Sequence, residues 1–290
     1  MALTTTPNGI WVLQALLGVE TMPVALRLKP FVPSVHSSLT VDTTAGLRPL
    51  TQTAEYASLI EAGVIDAQGD VDAAVRDWMT VLGRPERQIV LVIRRPAPSD
   101  EPRDGAATPL VEERTLVVCR HRRWLAMAAR SGEEVVIDAV GESHRAEEQV
   151  SLMCQTLLPA FGEAEPAAIE GVNVPTELLL STLGNTSPLG REATAAALGR
   201  LGLLPGQIDV ITAAARLDES AMAVVAIIDH GAKQYVHPRV LTVVDTEFGR
   251  VSVSYTTGAD RRQWVSIWPA SIPALREDLT ELLAAPRGAA

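Results

Sequence analysis

The sequence predicts an α+β fold in which a central, mostly antiparallel β-sheet is flanked by two helical bundles. The first observation is the order of elements, because helices, then strands, then a helix occur twice along the 290 residues. The second is the shortness of the turns between successive strands, which favours antiparallel pairing. The third is a composition of 47% hydrophobic and 21% charged residues, within the globular range. We therefore expect one domain over residues 1–290, with halves of about 1–160 and 161–290.

The N-terminal half begins with short elements. "ALTTT" is typical of an edge strand, and the apolar segment after it predicts a helix capped by Thr6 or Asn8 and ended by Gly18. The alternation in "PVALRLKPFVP" predicts a further strand, and the Ser/Thr-rich residues 34–49 predict a loop. Helical periodicity follows in "TAEYASLIEAGVI" and in "DVDAAVRDWMTVLG".

The rest of the chain repeats a strand-then-helix order. Strand-like runs are predicted at 87–95, 114–122, 123–130, 133–140, 220–229, 239–246, 250–257 and 263–270. Helices are predicted around "RAEEQVSLMCQTLL", "NVPTELLLSTLG", "LGREATAAALGRLGL", "PGQIDVITAAARL" and "SIPALREDLTELLAA". Between the first two strands lies a stretch rich in Pro, Asp and Gly, and a loop of this length is either disordered or functional.

The charge of the chain argues against nucleic acid as a partner. The net charge is −10, and the densest cationic stretch is the short "RHRR" at 120–123. Cys119 and Cys154 belong to no C-x-x-C motif, so we expect two buried free thiols and neither a zinc site nor a disulfide. No segment reaches 18 apolar residues and the N-terminus is a poor signal peptide, so we predict a cytoplasmic protein without membrane insertion.

Two aspartates raise the question of catalysis. Asp229 and Asp245 each follow a predicted strand, so a metal-dependent hydrolase or phosphotransferase using both is one hypothesis. No lysine or glycine-rich motif completes a phosphate site, and Asp245 with Gly249 is also typical of a hairpin turn, which we favour. His230 and His237 flank a short loop and could meet across a hairpin, but solvated loop histidines are the simpler interpretation.

The chain resembles the EspG family of ESX (type VII) secretion-associated proteins, and its ESX-2-associated branch in particular. The resemblance covers most of the chain in order and depends on these stretches: "GIWVLQALLGVE", "LRLKPFVP", "LIEAGVIDAQGDVDAAVRDWMTVLGRPER", "VNVPTELL" and "VVDTEFGRVSVSYTTGADRRQWVSIWPAS". None of them is a catalytic motif. The resemblance implies a quasi-twofold fold, no enzymatic activity and no cofactor.

The resemblance also implies a partner. EspG proteins bind PE–PPE heterodimers at the apolar tip of the PPE subunit, keep them soluble and direct them to their secretion system; a component of that machinery is a further candidate partner. Carried onto this chain, the surface uses loop 96–112, a helical corner near 191–217 and the sheet edge 226–240. The residues predicted to bind the partner are Leu198, Leu201, Ile227, Asp229, His230, Lys233, Tyr235 and Val240.

Overall fold

The structure is a computed structural model that describes residues 2–31, 40–43, 46–96, 111–216, 219–259 and 261–286. The strands are β1 (Leu3–Thr5), β2 (Thr40–Thr43), β3 (Gly46–Pro49), β4 (Arg87–Pro96), β5 (Val111–His121), β6 (Trp124–Ser131), β7 (Glu134–Glu142), β8 (Val172–Pro175), β9 (Ala221–His230), β10 (Gln234–Val236), β11 (Leu241–Thr246), β12 (Gly249–Thr257) and β13 (Gln263–Pro269). The α-helices are α1 (Pro7–Leu17), α2 (Ala54–Glu61), α3 (Ala73–Gly83), α4 (Ala146–Leu157), α5 (Thr176–Thr186), α6 (Arg191–Arg200), α7 (Pro205–Ala214) and α8 (Ile272–Leu283).

One eleven-stranded antiparallel sheet runs through both halves of the chain. Its order is β1-β7-β6-β5-β4-β9-β11-β12-β13-β8, and β10 pairs with the end of β9. The order is symmetric about the β4–β9 pair, where Leu91 lies opposite Val225. Each half contributes an edge strand and a four-stranded meander, and in each half the edge strand is followed by an 11-residue helix, α1 or α5. The predicted α+β architecture with two related halves is confirmed.

The helices cover the two faces of the sheet differently. Helices α1 to α3 pack on one face of the N-terminal half, and helices α5 to α7 pack on the C-terminal half. Both bundles lie on the same face, because Ile228 and Met222 of β9, an even number of residues apart, pack against the first and second bundle. Helices α4 and α8 cover the centre of the opposite face, against Leu91 and Val225.

Local signals place the first helix as predicted. The Thr6 side chain accepts a hydrogen bond from the Gly9 N–H, and Gly18 ends α1 in the left-handed conformation at φ 65°. Both groups satisfy backbone atoms that a helix end leaves without partners. Strand β1 is an edge strand of the sheet, also as predicted.

The segment predicted as a strand at "PVALRLKPFVP" forms no strand, and this prediction is wrong. Residues Val24–Leu26 form a 3-10 turn that packs on β5 and β6. Arg130 Nη1 fastens the turn by donating to the carbonyls of Leu26 and Arg27, at 2.9 and 2.7 Å. Val24 is 89% exposed while Leu26 is fully buried beneath the turn, although the alternation would place both on one face of a strand. Burial in this segment follows the three-residue spacing of the turn and not the two-residue spacing of a strand.

Other sequence expectations need smaller corrections. The loop predicted over 34–49 contains the β2–β3 hairpin in its described part. Strand β8 was not predicted, since only a helix was expected there, yet it pairs with β13. Of the loop at 96–112, residues 97–110 lie outside the described residues, while Pro96 ends β4 and residues 111 and 112 begin β5.

The stretch around Asp245 is a hairpin between β11 and β12, as favoured. Asp245 lies opposite Arg250, and the pair Thr246–Gly249 closes the turn. Gly249 has φ +111°, and a Cβ atom there would come within 2.7 Å of the backbone of Ala167. The turn therefore needs glycine both for its dihedral angle and for the close approach of a neighbouring segment.

Replacing Gly249 with alanine is expected to lower the free energy of unfolding by about 2–4 kcal/mol, because strain and overpacking act together. Chemical denaturation would measure the change. Gly132→Ala is the matched control, since Gly132 also has positive φ (+57°) but nothing lies within 4 Å of its Cβ position. Equal losses for the two variants would show that the contact with Ala167 contributes nothing.

Candidate partner-binding groove

The two helical bundles leave the middle of their shared sheet face uncovered. In β9 the odd-numbered side chains are buried under α4 and α8, while the even-numbered side chains on the other face remain half-buried. The half-buried floor continues into β4 at Val92 and into β11 at Thr242. We call this surface the central groove; its floor consists of Val92, Met222, Val224, Ala226, Ile228, Thr242 and Val253.

The two related halves differ in whether a turn covers the sheet beside the groove. In the N-terminal half, the turn at Val24–Leu26 packs on β5 and β6. The side chains on that side of the sheet, Thr115, Val117 and Ala128, are buried. The corresponding turn of the C-terminal half, Ser187–Leu189, packs mainly on α5 and α6.

In the C-terminal half, the surface that corresponds to the buried positions Thr115, Val117 and Ala128 lies on β11 and β12. Superposing the two hairpins by their turns, 121–124 on 246–249, matches the three buried positions with Val240, Thr242 and Val253. All three are only half-buried. The C-terminal half therefore presents to solvent a sheet surface that the N-terminal half fills with its own turn.

Aliphatic side chains project beside the groove and from the C-terminal bundle. Val24 lines a cleft of about 430 Å³ together with Ile228 and His230 at one end of the groove. The C-terminal bundle exposes four leucines: Leu178, Leu180, Leu189 and Leu204. Several large aliphatic side chains exposed on one helical bundle are typical of a protein-binding surface.

The two histidines near the groove are not solvated loop residues, so that interpretation is wrong. His237 is buried, and its Nε2 lies 2.9 Å from Asp229 Oδ2. His230 is half-buried, with its Nε2 3.2 Å from Gln88 Oε1. Burial lowers the pKa of His230, and the nearby Asp229 charge opposes this shift. The histidines flank a hairpin, as suggested, but each contacts another residue rather than its counterpart.

The predicted partner-binding residues separate into three groups: core residues, residues on the α8 side of the sheet, and residues that remain accessible. Leu198 and Ile227 have no exposed surface, so they support the core and cannot contact a partner. Asp229 is buried in an ion pair with Arg87. On the strand-pairing register, Tyr235 lies opposite Asp229 and faces the α8 side of the sheet.

Four predicted residues remain accessible: Leu201, His230, Lys233 and Val240. The sequence prediction missed the other even-numbered residues of β9, which are Met222, Val224, Ala226 and Ile228. Their signal was present in the alternation of "AMAVVAIIDH", but alternation alone does not tell which face lacks a covering helix.

Asp229 and Asp245 do not form a joint catalytic site. Asp245 pairs with Ala221 at the start of β9, whereas Asp229 lies at the other end of that strand. Eight residues of strand separate the two ends by about 26 Å. Each aspartate is also neutralised by an arginine, Arg87 for Asp229 and Arg250 for Asp245. The described residues include no group of side chains that could hold a metal ion.

The remaining sequence expectations concern thiols and membranes. Cys119 and Cys154 are both buried and unpaired, as predicted, and burial raises the pKa of the Cys119 thiol far above its ordinary value. Among the described residues, no helix has the length and hydrophobicity needed to span a bilayer.

The fold and the groove define a class of quasi-twofold α+β proteins that offer an apolar sheet surface between two helical bundles. The chain belongs to the EspG family, whose model matches residues 6–281. It is 29% identical to the ESX-2 secretion-associated protein EspG2 of Mycobacterium tuberculosis, over 91% of this chain and 88% of the relative. It is 26% identical to the ESX-5 secretion-associated protein EspG5 of Mycobacterium marinum, over 93% and 88%.

A solved structure shares the fold. The M. tuberculosis type VII secretion system chaperone EspG5, determined in complex with a PE25–PPE41 dimer, superposes with a TM-score of 0.74 at 22% identity. The alignment covers 100% of this chain and 98% of that one. The arrangement of sheet and helical bundles is therefore that of EspG5.

Proposed function

We propose that this protein is a cytoplasmic chaperone that binds PE–PPE heterodimers and directs them to an ESX (type VII) secretion system. Membership of the EspG family and the complex formed by the EspG5 relative support this assignment. The role needs neither an enzymatic activity nor a cofactor. The higher identity to EspG2, 29% against 26% for EspG5, supports assignment to the ESX-2 branch.

The observation that carries the proposal is the uncovered face of β11 and β12 beside β9. The N-terminal half provides an internal example of what fits such a surface, namely an apolar 3-10 turn whose carbonyls accept hydrogen bonds from Arg130. In the hairpin superposition, Tyr255 takes the place of Arg130 and is 45% exposed. A partner's apolar turn can therefore rest on Val253 and Thr242, with the Tyr255 hydroxyl available as a donor.

The energetics favour a partner with a bare apolar tip. Covering apolar surface removes it from water at roughly 25 cal/mol per Å², although association costs offset much of this gain. An apolar PPE tip left in solution would promote aggregation, so covering it keeps the substrate soluble. Polar groups at the groove end, His230 and Lys233, are placed to select among partners.

The accessibility of the side chains revises the contact set that the sequence predicts. The revised set retains Leu201, His230, Lys233 and Val240, and it omits the buried or oppositely facing residues. The added floor residues are Val224, Ala226, Thr242 and Val253, all half-buried. Exposed leucines of the C-terminal bundle extend the surface beyond the sheet.

Replacing Ala226 with glutamate is expected to abolish co-elution with a PE–PPE pair, because an unpaired carboxylate would be desolvated at the centre of the interface. The protein is co-expressed with PE–PPE pairs that are encoded near it, and size-exclusion chromatography then shows whether a pair co-elutes. Ala226→Ser and Ser254→Glu are matched controls; Ser254 is half-buried on the opposite face of β12.

The outcomes separate the alternatives. Retained co-elution by the Ala226→Glu protein would place the interface elsewhere. If no PE–PPE pair co-elutes with the unaltered protein, the chaperone assignment fails, and capture of a secretion-machinery component would then favour a scaffold. Melting temperatures of all variants show whether a loss of binding is only a loss of folding.

A further inference from the structure

The β5–β6 hairpin ends in a rigid cationic tip, at the position of the "RHRR" sequence. His121 and Trp124 pair across the turn, and Arg122 occupies it with φ 54°, a left-handed conformation that glycine or asparagine adopts at lower cost. Hydrogen bonds hold both sides of the tip in place. His121 Nδ1 lies 2.7 Å from the Arg84 carbonyl, and Gln149 Nε2 donates to the Arg122 carbonyl at 3.3 Å.

A shallow cleft of about 550 Å³ opens beside this tip, and among the described residues no carboxylate lines it. Its lining residues are Arg122, Arg123, Trp124, His144 and Gln149. The absence of acidic side chains is unusual for a chain with 35 acidic and 25 basic residues. On the far side of the tip, a second cleft of about 520 Å³ shares Arg122 and Trp124 and is lined mainly by apolar groups, with Asp77 and Glu142 as its acidic residues.

The two arginines of the tip differ in their contacts with the rest of the protein. Arg122 is exposed and makes no ion pair with any described residue. The Arg123 guanidinium lies 4.7 Å from the centre of the Trp124 ring, where it stacks, and its Nη1 is 3.4 Å from His144 Nε2. Glu142 contacts Arg123 from the second cleft at 3.2 Å. Trp124 remains 43% exposed between the two clefts.

We propose that this tip, which we call the Arg122–Trp124 site, binds a short acidic segment of a partner protein. Carboxylates of the segment would pair with Arg122 and with the remaining N–H donors of Arg123, which Glu142 and His144 already contact on other atoms. A neighbouring apolar side chain would pack on the Trp124 ring and enter the apolar cleft. Because hydrogen bonds from His121 and Gln149 hold the backbone of the tip, little ordering cost accompanies binding.

Charge and size favour a peptide over a nucleic acid. The net charge of −10 repels a long polyanion, and a two-residue tip offers too few cations to follow a phosphate backbone. A segment with two or three carboxylates needs no more cationic surface than the tip provides. The site lies at the β5–β6 turn, whereas the central groove floor lies on β4, β9, β11 and β12, so both could be occupied together.

The test is fluorescence anisotropy of the full-length protein with a short labelled peptide that contains several glutamates around one leucine. A peptide with every glutamate replaced by glutamine is the control probe. We expect the acidic peptide to bind, with an affinity that falls as salt rises from about 50 to 300 mM. Changing both Arg122 and Arg123 to alanine should weaken binding about tenfold or more.

Two variants separate binding from folding. Arg122→Gly suits the left-handed turn, so it should weaken peptide binding while leaving the melting temperature equal or higher. Arg261→Ala is the matched control, because Arg261 is an exposed arginine with φ 63° at another turn, and it should leave binding unchanged.

Three results would overturn the proposal. These are equal binding of the glutamine peptide, unchanged affinity of the double alanine variant, and tighter Arg122-dependent binding of a single-stranded oligonucleotide. Co-elution of the double variant with a PE–PPE pair is expected to persist. The outcome at this site is therefore distinguishable from the outcome at the central groove.

Discussion

Replacing Arg250 with alanine is expected to lower the free energy of unfolding by about 3–5 kcal/mol, because it removes a fully buried side chain together with the donors for two carbonyls and for Asp245, whose side chain is 30% exposed. Arg250 is 1% exposed and binds both oxygens of Asp245, at 2.5 and 2.9 Å. Its remaining donors reach the carbonyls of Phe161 and Gly162, at 2.8 and 2.9 Å. The substitution leaves Asp245 and these two carbonyls without their cationic partner.

Denaturant unfolding followed by circular dichroism would measure this loss. Arg239→Ala is the control, because Arg239 pairs with Glu281 at 2.9 Å on the surface and should cost less than about 1 kcal/mol. A loss for Arg250→Ala as small as that of the control would contradict a structural role for Asp245. The result bears on function as well, because an aspartate held in this way is not available to a metal.

Replacing Arg87 with alanine is expected to have a comparable effect, about 3–5 kcal/mol. The guanidinium donates to both oxygens of Asp229, at 2.7 and 3.0 Å. It also donates to the carbonyls of Leu283 and Ala285 at the C-terminal end of α8, at 3.2 and 3.0 Å. A cation there complements the helix dipole, so one side chain joins β4, β9 and α8.

A double-mutant cycle would isolate the pair. Arg87→Met alone or Asp229→Leu alone leaves the other member of the pair buried without its counterion, while the double variant with both substitutions replaces the pair with apolar groups and should recover much of the loss. Arg94→Ala serves as the exposed control, since Arg94 pairs with Glu113 at 2.9 Å at the far end of β4. Additive single and double losses would show that Arg87 and Asp229 do not stabilise each other.

Most of the secondary structure could be predicted because its signals are local. Helix α1 is bounded by Thr6 and Gly18, whose side chain and dihedral freedom act within a few residues. Strands β4 to β7, β9 and β11 to β13 were predicted from alternating or continuous apolar runs. Strand β10 was not predicted, because its three residues lie in a segment that the sequence analysis took as a loop. Strand β8 is only four residues long and ends at Pro175, so it offered too little pattern beside the helix that follows.

The candidate site was harder to predict because exposure is not a local property. Ile227 and Ala226 are neighbours in one strand, yet the first is fully buried and the second faces the groove. Which of them is accessible depends on where α4, α8 and the two bundles pack, and these helices lie far away along the chain. For the same reason, Val24 and Leu26 looked like one strand face although only one of them is buried.

The sequence by itself determined the α+β class, the doubled order of elements, the family resemblance and the hairpin at Asp245, since these depend on residue types and short spacings. Only the tertiary structure decided that Asp229 and Asp245 lie at opposite ends of β9 and that each binds an arginine. Only the tertiary structure showed that a turn covers β5 and β6 while β11 and β12 stay open. Burial and pairing join residues that are far apart in the chain, so no local pattern encodes them.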